Sequence, residues 1–85
     1  MKLTVVFQEF EQIAEELNIR IFQEKGNFNG GYCLLEEQRI IVINKVKPLE
    51  QRIRALAQAF SKFDTSQIYL KPAIREMIES EDHSL

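Results

Sequence analysis

The chain has 85 residues, one cysteine, one histidine, no tryptophan and a net charge of −2 at pH 7. That length gives one domain, a single thiol excludes an internal disulfide and a thiolate metal cluster, and the mild acidity argues against nucleic acid as the main partner. No apolar run approaches the roughly 20 residues of a membrane helix, and the opening Met1-Lys2-Leu3 leads into no apolar core of a secretion signal, so a reducing cytoplasm is the expected location.

A first helix is expected over about 4–17. Thr4 would cap it, and Val6, Phe10, Ile13 and Leu17 recur at helical spacing, with Glu9, Glu11, Glu15 and Glu16 outside the stripe. Asn18 suits the left-handed residue that ends a helix. Ile19–Glu24 reads as a strand, Ile19 and Ile21 alternating with Arg20, and Phe22 adding apolar bulk on the other side. The stretch Lys25-Gly26-Asn27-Phe28-Asn29-Gly30-Gly31 tolerates positive φ and reads as a hairpin loop. Tyr32–Leu35 follows as a second strand, Glu36-Glu37-Gln38 as a polar turn, and Arg39–Asn44 as a third strand. The third strand's central Ile40-Ile41-Val42-Ile43 suits a strand covered on both faces. Pro48 suits the first turn of a second helix, which runs to about Phe63 with Leu49, Ile53, Leu56, Ala57, Phe60 and Phe63 on one face. Ala55 and Ala59 lie off that stripe and would let another backbone approach. Asp64-Thr65-Ser66 breaks the pattern, Ile68-Tyr69-Leu70 is a short extended segment, and Pro72 opens a third helix with Ile74, Met77 and Ile78 as its apolar side. The polar end from Ser80 frays.

The order predicts an α+β domain over 1–79 with a flexible tail at 80–85: helix, three-stranded antiparallel sheet, helix and short C-terminal helix. Tight turns between strands favour antiparallel pairing, and the first two helices would pack on the sheet.

The chemistry-bearing residues are few. His83, the only imidazole, lies in the tail and has no partner for a zinc site or a nucleophilic triad. The glycines precede a strand rather than a helix, so they do not make a phosphate loop, and Phe28 at the tip is either folded back or a contact residue. The carboxylates of the first helix and of Glu36 and Glu37 read as solvated faces. Residues 44–75 hold Lys45, Lys47, Arg52, Arg54, Lys62, Lys71 and Arg75 against Glu50 and Asp64, a local net of +5. Such a face would dock an acidic partner or a nucleic acid backbone, unless it is a solvated face balanced by the first helix and the acidic tail, and no aromatics interleave it for base stacking.

The run Arg39-Ile40-Ile41-Val42-Ile43-Asn44, followed by the helix from Pro48 with Leu56-Ala57-Gln58-Ala59-Phe60-Ser61-Lys62, resembles the minimal zinc peptidases that cleave phage repressors (the ImmA/IrrE-like group). In that family a strand ending in Asn leads to a helix carrying Leu-Ala-His-Glu-Leu-Gly-His. The resemblance lays the zinc-binding histidines on Gln58 and Lys62 and the catalytic glutamate on Ala59. Every residue of the family's chemistry is thus replaced: an ammonium repels a dication, and alanine is no base. The resemblance therefore implies an inactive bacterial relic of the fold, without cofactor, that binds a peptide or a small anionic ligand near Gln58 and Lys62.

Two functions follow as expectations. The first is a non-enzymatic interaction module that docks on another protein or on itself as a homodimer, away from membranes and nucleic acid, with Arg54, Ala55, Ala59 and Phe28 beside Gln58 and Lys62 as the candidate contact residues. The second is the inactive peptidase-like binding domain.

Overall fold

The computed structural model describes residues 1–25 and 32–82. It has the order α1 (Leu3–Glu16), β1 (Arg20–Glu24), β2 (Tyr32–Leu35), β3 (Ile40–Asn44), α2 (Leu49–Phe60) and α3 (Pro72–Asp82), and the α+β class holds. Among the described residues no helix is long and apolar enough to cross a membrane.

α1 buries Val6, Phe7, Phe10, Ile13 and Ala14, a stripe recurring every three or four residues that faces the core. Its start differs from the expected one. Lys2, in extended backbone, precedes the helix without a side-chain cap, and Thr4 lies inside the first turn. Its end is as read from the sequence. Asn18 takes φ 57°, its amide donates to the Glu15 carbonyl at 3.2 Å, and the Ile19 amide reaches the Ala14 carbonyl at 2.8 Å. This is the Schellman closure, and the apolar contact that accompanies it comes from Ile19 and Ala14, both buried.

The sheet order is β1-β3-β2, with β3 parallel to β1 and antiparallel to β2. The purely antiparallel sheet is thereby corrected to a mixed one. β1 and β2 are not neighbours, so they form no hairpin, and the glycine-rich loop expected between them, with Phe28, falls on residues 26–31, outside the described residues. β2 reverses onto β3 through a tight turn at 36–39, where the Arg39 amide donates to the Glu36 carbonyl at 3.0 Å and Arg39 adopts φ 55°. Sixteen positions separate Glu24 from Ile40, enough chain for β3 to return parallel to β1. The hydrophobic reason is plain: the most apolar strand takes the centre, where neighbours on both edges shield it. β3 is buried at four of its five positions.

All three helices join one core cluster that includes Ile41 and Ile43 from β3 and omits Ile40. The helices therefore lie on one side of the sheet, in two layers. α2 is the hub, since it packs against α1, α3, β2 and β3. It buries Ile53, Ala55, Leu56, Ala57, Ala59 and Phe60, more than half its circumference at ~100° per residue. Phe10 and Phe60 stack with ring centroids 5.5 Å apart. Pro48 stands at the cap of α2, one position before the helix, and α2 ends at Phe60 rather than Phe63, with a turn closed by the Phe63 amide on the Phe60 carbonyl. α3 buries Ile74 and Ile78, as its spacing implied. α3 continues past Ser80 to Asp82.

Arg39 fastens the sheet to α1. Its guanidinium donates through Nε and Nη2 to the Leu17 carbonyl, a carbonyl left over at the helix end, and stacks 5.4 Å from the Phe63 ring centroid.

Removing the stacked ring at the hub leaves a large cavity. Phe60→Ala is expected to cost about 3–5 kcal/mol, a large part of the ~5–15 kcal/mol that holds a small domain. Urea unfolding followed by circular dichroism measures it.

Candidate interaction surface

Strand residues alternate between the two sides of a sheet, and residues paired directly across a ladder share a side. Ile41 and Ile43 face the helices, so their partners Ile21, Gln23, Tyr32 and Leu34 do too. Gln23 bears this out: its side-chain carbonyl accepts from Arg52 of α2 at 3.0 Å. The opposite side carries Arg20, Phe22 and Glu24 of β1, Ile40, Val42 and Asn44 of β3, and Cys33 and Leu35 of β2.

No described helix covers that side. Phe22 is 41% exposed and Leu35 43% exposed, the Cys33 thiol is exposed, and Val42 is half-buried. Phe22, Val42 and Cys33 stand in register across the three strands and form an apolar row. Ile40 is buried between its neighbours Arg20 and Leu35, and Asn44 is buried at the other end, where its side-chain oxygen accepts from the Val46 amide at 3.3 Å. The expectation that β3 is covered on both faces agrees with its burial, since Ile40 and Asn44 are buried and Val42 half-buried on this side, although no described helix supplies that cover. Arg20 and Glu24 flank Phe22 two residues to either side, and the Arg20 guanidinium lies 5.4 Å from the Phe22 ring centroid, within range of a cation–π contact.

The residues chosen from the sequence go elsewhere. Ala55 is 3% and Ala59 0% exposed. They do admit close neighbours, but the neighbours are elements of this same chain, so they offer no face to a partner. Arg54 donates to Glu81 Oε1 at 3.2 Å and Gln58 to Glu81 Oε2 at 3.3 Å, which fastens α2 to α3 through one carboxylate. Lys62 is exposed one turn beyond Gln58. A groove of about 550 Å³ runs between α2 and α3 past the start of α1, with Leu3, Ile53, Ala57 and Met77 as apolar lining and Arg54 and Glu81 among its polar residues. Gln58 and Lys62 do not line it. Tyr32 is half-buried on the helix side and Tyr69 is 75% exposed.

The basic segment is partly neutralised from the places the sequence suggested. Glu9 of α1 accepts from Lys71 at 2.6 Å, and Glu81 near the end of α3 accepts from Arg54. Arg52 is tied to the Lys47 carbonyl and lies 5.9 Å from the Phe7 ring centroid. Among the described residues no group of three or more His, Cys, Asp or Glu is placed to hold a metal ion, and His83 falls outside them.

The sequence signal for the open face was Phe22 itself, an aromatic out of phase with Ile19 and Ile21. Its significance depended on β3 lying beside β1, which brings Val42 next to it.

The chain matches no family model, no curated protein and no solved structure.

Glu81→Ala removes both fastenings between α2 and α3. Arg54 is mostly exposed, so solvent screening keeps the expected loss to about 1 kcal/mol or less, read as a small drop in thermal midpoint that shrinks further in high salt. Asp64 adds a pH dependence. Hydrogen bonds from the Ser66 hydroxyl, and then from its amide, hold the Asp64 carboxyl below its usual 3.8. A depressed folded-state value gives stability that is present above 3.8 and lost as pH falls through the folded value. Wild type is expected to exceed Asp64→Ala in stability near neutral pH and to lose that advantage in acid, by urea unfolding at both pH values.

Proposed function

We propose that this protein is a non-enzymatic interaction module that self-associates through the face of its sheet that no described helix covers. The single observation that carries this reading is the exposed apolar row of Phe22, Val42 and Cys33 on a side that no described helix covers. A half-exposed Phe on a flat strand surface is unfavourable in water, and burying it against an apolar surface returns about 25 cal/mol per Å².

Charge selects a second copy as the occupant. The row is flanked on β1 by one cation and one anion, Arg20 and Glu24. A partner must meet this face with the opposite arrangement, and a copy of the same face turned end for end supplies it, as isologous interfaces require.

Size sets the strength. Three strands ~4.8 Å apart and five residues at ~3.3 Å each span roughly 14 by 17 Å, well short of the ~800 Å² per partner of a standard interface. A weak, reversible dimer follows, with a dissociation constant on the order of micromolar or higher. An exposed thiol on such a face suits the reducing conditions of a cytoplasm.

The other reading, a peptide or small anion held at Gln58 and Lys62, has less support. The Glu81 carboxylate already accepts from both Arg54 and Gln58, and an incoming anion has to displace it.

Light scattering across a concentration series tests the proposal. Average mass is expected to rise from monomer towards dimer through the micromolar range. Phe22→Asp, at a half-exposed position outside the core, is expected to leave the circular dichroism spectrum intact and hold the protein monomeric. A wild-type mass that stays at one chain up to millimolar concentration overturns it.

A further inference from the structure

We infer that the two copies are related by a two-fold axis that lies between the facing sheets, along the row Phe22–Val42–Cys33. This rests on the self-association reading above and adds the arrangement of the partner to it.

Two sheets that pack face to face keep their strands within about 30° of alignment, which leaves two ways to place a two-fold axis between them. An axis parallel to the strands exchanges β1 with β2. It sets Phe22 over the partner's Cys33, and Arg20 over the partner's Leu35, its row mate across Ile40. A guanidinium is then desolvated against an apolar side chain without a partner, which is costly. An axis across the strands keeps each strand facing its own copy, reversed in direction. Phe22, Val42 and Cys33 each face their own counterparts near the axis. Arg20 lies two residues before Phe22 and Glu24 two after it, so each Arg20 meets the partner's Glu24, twice by symmetry.

The second arrangement buries the apolar row, sets Ile40 against the amide Asn44 of the partner subunit on the central strand, and leaves Arg20 and Glu24 at the rim, each with an opposite charge before it. Ring stacking of Arg20 on its own Phe22 is compatible with this, since a stacked guanidinium donates from its edge, where the carboxylate arrives.

The same axis makes Cys33 a reporter. On strand β2 it pairs directly with Val42, one strand spacing from the centre of the face, so two Cys33 thiols approach each other across sheets ~10 Å apart.

Two measurements on the full chain test the arrangement. Arg20→Glu alone and Glu24→Arg alone each set like charges against each other at both rim positions. Each is expected to weaken dimerisation about three- to thirtyfold by light scattering or sedimentation, from two exposed pairs of modest worth. The double reversal R20E/E24R restores the pairing and is expected to return the dissociation constant to within about threefold of wild type. Second, a short bismaleimide is expected to join two chains at Cys33, each ring adding one thiol across its double bond. The product is expected to be absent with Cys33→Ser and with the monomeric Phe22→Asp. A wild-type dimer with no crosslink and no rescue by the double reversal overturns the arrangement and leaves self-association standing. A chain that remains monomeric overturns both.

Discussion

Ile41 and Ile43 of β3 are fully buried, and the contact they make with α2 is the constraint from which the rest of the molecule follows. Their burial puts β3 at the centre of the sheet and α2 directly over it. α2 then brings in α1 through the Phe10–Phe60 stack and α3 through Ile74 and Ile78. Helices gathered around one hub stay on the hub's side of the sheet. A chain of 85 residues buries only about 60–65% of the surface it exposes when unfolded, and here that burial is concentrated in a single layer interface. That the described helices leave the other sheet face to itself is therefore a result of how the core is built.

Much of this was legible in the sequence, and the reasons are local. The β2 limits, the Asn18 helix end and the apolar sides of α2 and α3 follow from side-chain spacing and backbone preference, which neighbours in the chain determine. Strand pairing is not local. The polar turn at 36–38 specifies that β2 reverses onto β3, but nothing in Ile19–Glu24 says which strand will lie beside it. A hairpin was the natural inference from Gly30-Gly31. The competing preference of the most apolar strand for the central position decided the outcome, and β1 pairs parallel to β3 instead.

The placement of the small residues of α2 is non-local in the same way. Ala55 and Ala59 appear off the stripe only when α2 is taken to bury one face. An α2 with neighbours on several sides takes them into the core, and their small size is what lets those neighbours come close. Gln58 and Arg54 were expected to face a ligand, yet the carboxylate they meet is Glu81, a residue taken for part of a frayed tail. Phe22 was noticed as apolar bulk on the far side of its strand, but a lone exposed aromatic is ordinary. It gains meaning only from the register that lines it up with Val42 and Cys33.

The sheet offers two ways to meet another copy, and they have different consequences. Edge pairing along β1 uses the outward amides and carbonyls of Ile21 and Gln23, since the parallel ladder turns those of Arg20, Phe22 and Glu24 towards β3. Two residues give a short edge, with few backbone hydrogen bonds to offer a second copy. Face pairing hides Phe22 from water on both partners at once and closes after two copies. Arg20 and Glu24 bear on the choice as well. In the proposed dimer, flanking the aromatic with opposite charges disfavours a shift along the strand, because the shift unpairs Arg20 and Glu24 from their opposite charges. One register of that dimer keeps both charges paired at the rim, so residues that would contribute little to affinity would define the geometry of the contact.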